Sequence, residues 1–430
     1  MSLVINADSL EHLKTLEDNK FDSVVTDPPY HLASIVKRFG PGQKGINNKD
    51  EKEGRNGPYH RAAKGFMGQT WDGGDIAFQK DFWKEVYRTL KPGGYLLAFA
   101  AARNYHRMAV AIEDAGFEIR DMINWIYGSG FPKSHNIGKQ MDKKLGNTRQ
   151  VVGKVERGDV QKAKEKGSGY LADPANRNNK SQFGYGTEIL TKGNTKWEGW
   201  GTALKPAHEP IVMARKPIKS SVVDNILEHG TGAINIDDCR IELEDKEDKR
   251  LGGKGTFKTD KMAKNDYGKF EGKDIRTSEK GRYPANVIHD GSEEVINEFA
   301  KYGNKGAFAP VKKKEGDYFF YDHKYNKQGD DGASFRDDTG TAARFFYSAK
   351  ATKKEKGDTQ HPTVKPVSLM RYLIRLVTPK DGLVLDPFAG TGTTGEACIL
   401  ENRNYYLIER EKKYLKDIDN RLNKYGRLGI

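Results

Sequence analysis

Near the carboxyl end, the run Leu385-Asp386-Pro387-Phe388-Ala389-Gly390-Thr391-Gly392-Thr393-Thr394-Gly395 joins a β-rich segment, GLVLD (382–386), to a helical one, TTGEACILE (393–401), and the β-rich NYYLIE (404–409) follows. Glycines at a strand-to-helix junction permit a tight turn and let a ligand approach the backbone. An acid at the end of the next strand, here Glu409, can accept hydrogen bonds from ribose hydroxyls. This is a nucleotide-type site in an unusual place, because only 21 residues follow Glu409, too few to complete a nucleotide-binding sheet. The remaining strands must come from earlier in the chain, so the sheet is expected to be circularly permuted. Gly390, Gly392 and Gly395 also satisfy G-x-G-x-x-G, which keeps a NAD-dependent oxidoreductase as a remote alternative.

Earlier segments can supply those strands. SVVTD (23–27), YLLAFA (95–100) and EIRDMINWIY (118–127) read as strands, with helices near 77–90 and 103–115, a KPGG turn (91–94), and a later helix, VSLMRYLIRLV (367–377). Continuous apolar strands separated by helices indicate a sheet covered on both faces, hence an α/β fold. EPIVMARKP (209–217) is expected to complete a hairpin with INWIY (123–127), which makes 131–205 an insertion into the sheet. Much of 131–205 and 240–345 is rich in Gly, Lys, Asn and Asp and reads as loop-rich insertions.

The formal net charge is +13, which points to a polyanionic partner. The run Lys312-Lys313-Lys314 reads equally as a contact to nucleic-acid backbone or as a solvated loop. Mean hydropathy is −0.80, and no apolar run approaches the roughly 20 residues needed to span a bilayer, so no membrane association is expected. The opening residues MSLVINADSLEHLK lack the basic and apolar regions of a signal peptide. Two cysteines, Cys239 and Cys398, build neither a disulfide framework nor a cysteine-rich zinc site, and the histidines show no HxH or HxxxH pair. The expectation is a cytoplasmic protein without a metal.

Asp27-Pro28-Pro29-Tyr30 follows the strand SVVT directly. Two prolines fix φ and cannot donate to the ladder, so the chain leaves the sheet in a stiff loop. That loop holds Asp27 and Tyr30 at the carboxyl edge, where open α/β sheets bind ligands. An ordinary strand-ending turn would explain the motif alone; paired with the glycine-rich loop it reads as half of a site.

With both motifs in view, the sequence resembles the β class of amino-group DNA methyltransferases that use S-adenosylmethionine, in which a DPPY element comes first, a target-recognition region follows, and an FxGxG element (here Phe388, Gly390, Gly392) comes last. His361-Pro362-Thr363-Val364-Lys365-Pro366 resembles the family's HPTxKP element beside the methionine end of the cofactor, and Asn6-Ala7-Asp8-Ser9 resembles the acidic turn that holds its adenine. The resemblance implies a Rossmann-like class I methyltransferase fold with a permuted, mixed sheet and loop-rich recognition insertions. It implies catalytic roles for Asp27, Pro28, Pro29 and Tyr30. It also implies cofactor contacts at Ala7, Asp8, Asp27, His361, Thr363, Lys365, Asp386, Phe388, Ala389, Gly390, Thr391, Gly392, Thr393 and Glu409.

The implied organisation is a first catalytic part over 1–130, an insertion with DNA contacts over 131–205, a catalytic strand within 206–217, target recognition over 218–344 and a cofactor-binding part over 345–430. The implied reaction is site-specific, in-line methyl transfer to the N6 of adenine flipped out of double-stranded DNA. Asp at the first motif position tends to accompany adenine and Ser cytosine, with N4-cytosine as the alternative. C5-cytosine chemistry needs a thiolate in a Pro-Cys context, which neither cysteine has. A second copy of the chain and a cognate restriction endonuclease are further partners that the resemblance admits.

Overall fold

A computed structural model of the chain describes residues 2–30, 75–128, 130, 134–156, 187–242, 281–301, 343, 346–349 and 364–426. Its elements, in chain order, begin with β1 (Leu3–Asn6), α1 (Ser9–Leu13), β2 (Phe21–Thr26), α2 (Lys80–Thr89), β3 (Leu90–Phe99), α3 (Tyr105–Asp114) and β4 (Glu118–Ile126). Next come α4 (Ile137–Leu145), β5 (Gln150–Glu156), β6 (Thr187–Lys192), β7 (His208–Arg215), α5 (Val222–His229), β8 (Val287–His289), α6 (Glu293–Ala300) and β9 (Tyr347–Ser348). The last are α7 (Val367–Val377), β10 (Leu383–Asp386), α8 (Thr393–Leu400), β11 (Asn404–Glu409) and α9 (Lys412–Leu422).

Nine of the described strands form one sheet in the order β1-β11-β10-β2-β3-β7-β4-β8-β9. β10 and β11 lie between β1 and β2, with Leu3 opposite Tyr406 and Val384 opposite Ser23, so the sheet is permuted. β7 alone is reversed, running antiparallel to β3 on one side and β4 on the other.

Period-2 alternation sorts the core into two layers. On β3, Tyr95, Leu97 and Phe99 face the side covered by Leu369, Leu373 and Leu376 of α7, Cys398 of α8 and Ile418 of α9. Leu96 and Ala98 face the opposite side, with Leu13 of α1, Phe82, Trp83 and Val86 of α2 and Ile112 of α3. β7 and β11 divide in the same way, Ile211 and Tyr405 to the first layer and Val212 and Tyr406 to the second. Each Leu, Ile, Val or Phe among them contributes about 1.5–3 kcal/mol on burial, so both faces hold the sheet.

Two expectations are corrected. Lys91-Pro92-Gly93-Gly94 is not a turn that ends a helix; it bulges within β3, where Phe21 pairs with Leu90 but Ser23 with Tyr95. The bulge is a docking point: Gly93 has φ +77°, its N–H donates to the Lys216 carbonyl at 3.0 Å, and Asn225 of α5 donates to the Pro92 carbonyl at 2.9 Å. Segment 218–344, expected as a recognition region interrupting the catalytic sheet, also contributes to that sheet. α5 is anchored on β3, and β8 extends the sheet with Ile288 opposite Trp125. A three-residue strand carries no periodicity of its own, so only its distant partner reveals it.

The chain divides into two units, residues 1–128 with 208–430, and residues 129–207. The second contains α4 and the antiparallel hairpin of β5 and β6. Arg149 joins them, pairing with buried Asp142 of α4 and, at 2.6 Å, with Glu198. None of the described helices is long and apolar enough to cross a membrane.

Candidate active site

Because β2 and β10 are neighbours, the two sequence motifs end side by side at the carboxyl edge of the sheet. Thr26, the last residue of β2, donates its hydroxyl to Asp386 Oδ1 at 2.7 Å, and Asp27 follows at once. Pro28 and Pro29 are buried, and Asn104 holds the Tyr30 carbonyl through its side-chain amide.

Lys365 comes to this loop from just before α7. Its buried ammonium lies 2.6 Å from Asp27 Oδ2, 3.1 Å from the Tyr30 hydroxyl oxygen and 3.2 Å from Glu209 Oε2. It also sits 4.8 Å above the centre of the Phe99 ring and 5.3 Å above that of Tyr30. Tyr30 donates its hydroxyl to Glu209 Oε2 at 2.9 Å. Burial opposes the charge on Lys365, yet Asp27 and Glu209 outweigh it and raise the ammonium above its usual range. Burial, then the same two carboxylates, pushes the Tyr30 phenol well up. At neutral pH the loop therefore holds a charged ammonium and a neutral phenol, both donors. Asp27 Oδ1 is sealed from solvent and has no hydrogen-bond partner among the described residues.

Glu209 is the residue that sequence reasoning missed. The signal was present in HEPIVMAR: a strand running against its neighbours brings its first residues, not its last, to the carboxyl edge. A lone acid just before an apolar run then faces the site.

The glycine-rich loop forms the neighbouring half. Gly390 donates its N–H to Glu409 Oε2 at 2.8 Å, Glu411 donates to Oε1 at 2.7 Å, and Gly392 opens α8 with φ +78° and no side-chain cap. Burial pushes the Glu409 carboxyl up to about 7, against the pull of those two N–H groups. Each carboxylate oxygen keeps a lone pair for a further donor, which suits a diol. The Asp386 carboxyl is pushed to about 6 by burial and is spent within the protein, on Thr26 and the Phe388 N–H through Oδ1 and on Thr394 through Oδ2. It shapes the loop by tying β2, β10 and α8 together. Ala389, Thr391 and Thr393 are buried, and the Phe388 ring packs against Phe82 of α2 at 5.2 Å, tilted by 42°.

Of the other expected contacts, Ala7 lies at the bend after β1, and exposed Asp8 caps α1 through Oδ1, accepting from the Leu10 and Glu11 N–H groups. Asn6 ties that bend to β11 by donating to the Glu409 carbonyl at 2.7 Å. Lys365 lies on Asp27 and Tyr30. His361, Thr363 and the lysines at 312–314 lie outside the described residues.

A family model described as DNA methylase matches residues 21–420. The type II methyltransferase M.HindIII of Haemophilus influenzae is 22% identical across 97% of this chain and 94% of its own. M2.MboI of Moraxella bovis, also a type II methyltransferase, is 50% identical over 62 residues, 14% of this chain and 23% of its own. Among solved structures, the complex of M1.HpyAVI with SAM aligns over 98% of this chain and 100% of its own at 15% identity, with a TM-score of 0.38. The PvuII cytosine-N4-specific DNA methyltransferase aligns over 98% and 89% at 13% identity, with a TM-score of 0.39. The match over almost the whole chain replaces the oxidoreductase reading of the glycine loop: this protein belongs to the DNA methylase family, whose methyl donor is S-adenosylmethionine.

Proposed function

We propose that this DNA methyltransferase acts on the exocyclic N6 of adenine in double-stranded DNA, at a specific sequence, on a base turned out of the helix. The observation that carries this reading is Asp27 Oδ1, a buried acceptor without a donor, beside Tyr30 and one strand away from the glycine loop. An exocyclic amino group is a poor nucleophile because its lone pair is conjugated into the ring. Asp27 Oδ1 and the Pro28 carbonyl are the acceptors that draw its hydrogens out of the ring plane, and Tyr30 gives the base a face to stack on. S-adenosylmethionine, when bound, supplies the electrophilic methyl group. The chain's contribution is position and preorganised acceptors, with no covalent enzyme intermediate.

Glu409, the Gly390 backbone, Ala7 and Asp8 are assigned to the cofactor, and segments 131–205 and 218–344, apart from α5 and β8, to DNA. Restriction by a cognate nuclease and pairing with a second copy are further readings of the same kind. The deciding experiment is methyl transfer to DNA followed by nucleoside analysis. N6-methyladenine is expected, and N4-methylcytosine in its place would overturn the assignment.

Three further outcomes are expected. A carboxyl titrating near 7 is ionised above that pH and protonated below it. If Glu409 accepts the ribose hydroxyls, affinity for S-adenosylhomocysteine should fall as pH drops from about 8 to 6, by at most about tenfold per unit. For the ligand-free protein the sign reverses. Glu409 and Asp386 bind protons more tightly folded than unfolded, so they favour the fold increasingly as pH falls through 7 and then 6. Calorimetric titration at several pH values reads the first trend, and a flat profile would remove Glu409 from the contact. With a net charge of +13, binding to any duplex should weaken by about 10³-fold between 50 and 200 mM salt if roughly six phosphates are neutralised. Fluorescence anisotropy measures the slope.

A further inference from the structure

Glu209 has no part in the reaction as described, yet it contacts Tyr30, which does, and Lys365, which lies on Asp27. One oxygen, Oε2, accepts from the Tyr30 hydroxyl at 2.9 Å and lies 3.2 Å from Lys365 Nζ. The ammonium has three hydrogens and faces three acceptors, Asp27 Oδ2, the Tyr30 oxygen and Glu209 Oε2. Asp27 and Glu209 thus share one cation, and that cation covers a single oxygen of Asp27. A buried ammonium deprived of one of two carboxylates moves to satisfy itself on the other. The Tyr30 oxygen and the Phe99 and Tyr30 rings also contact the ammonium, but Glu209 is the one other carboxylate beside it among the described residues.

We propose that Glu209 is a positioning residue that restrains Lys365 to one oxygen of Asp27 and so leaves the buried Oδ1 without a donor until the target amino group supplies one. The second half of this statement rests on the function proposed above; the first half is a matter of geometry alone. Glu209→Gln keeps the shape of the side chain and its acceptor for Tyr30 but removes the charge that draws Lys365.

The test has two arms. In a crystal structure of E209Q, Lys365 Nζ is expected within hydrogen-bonding distance of both Asp27 oxygens; an ammonium still on Oδ2 alone overturns the proposal, whatever the activity. In steady-state assays E209Q is expected to lose about 10- to 100-fold in kcat, as a misplaced reacting group does, with S-adenosylhomocysteine affinity and Tm unchanged. Glu209→Asp, which restores the carboxylate on a shorter stem, is expected to recover part of kcat. E209Q with full kcat, or E209D no better than E209Q at normal Tm, also overturns it. Should the unaltered protein transfer no methyl group to DNA, the functional reading fails, while the crystal structure still decides where Glu209 holds the lysine.

Discussion

Replacing Asp27 by alanine is expected to lower kcat for methyl transfer by about 10²–10³-fold, the usual cost of losing a preorganised partner of the reacting group, while S-adenosylhomocysteine still binds. The fold should tolerate the change, because Lys365 keeps Glu209 at 3.2 Å as a carboxylate partner. Asp27→Asn is expected to do no better. Lys365 donates to Oδ2, and the proposed substrate donates to Oδ1. An amide offers an acceptor on only one side and turns an NH₂ toward a donor on the other. Radiolabelled transfer, paired with calorimetric titration of S-adenosylhomocysteine, separates chemistry from binding; full turnover in the alanine variant refutes the role.

Gly392→Val is expected to abolish cofactor binding and to lower stability by roughly 2–5 kcal/mol, the sum of a strained backbone and an overpacked contact. A Cβ at Gly392 meets the Ile418 side chain at 3.2 Å, and φ is +78°, a conformation that β-branched residues avoid. The loop is expected to shift away from α9, disturbing the Gly390 contact to Glu409. Thermal unfolding and titration of the same sample read both effects. A variant with native Tm that binds as well as the original would show that the loop does not depend on this turn.

What the residues revealed in advance depended on whether the signal was local. β11 and α7 were legible because six and eleven consecutive residues carry the pattern of a buried strand and a buried helix. The permutation was legible from motif order alone, since the glycine-rich loop follows the Asp27 loop in the chain instead of preceding it. KPGG was misread because glycine and proline signal a turn regardless of whether the chain resumes the same strand afterwards. Lys365 was assigned to the cofactor because its neighbours in sequence suggested it; its contact with Asp27 spans 338 residues, a separation over which periodicity carries no information. Glu209 needed one more inference, that a reversed strand presents its opposite end.

The interleaving of β10 and β11 between β1 and β2 also bears on how the molecule is made. A ribosome releases β2 and the Asp27 loop early, but one edge of β2 has no neighbour until β10 appears, some 360 residues later. β1 waits for β11 in the same way. At synthesis rates of about 5–20 residues per second the interval is roughly 20–70 s, during which the buried strand β2 and the half-buried strand β1 have open edges of the kind that pair indiscriminately. Nascent chains halted before residue 383 should therefore hold the first strands in a protease-sensitive, chaperone-dependent state. The aspartate on which turnover depends is synthesised among the first residues and takes its place among the last.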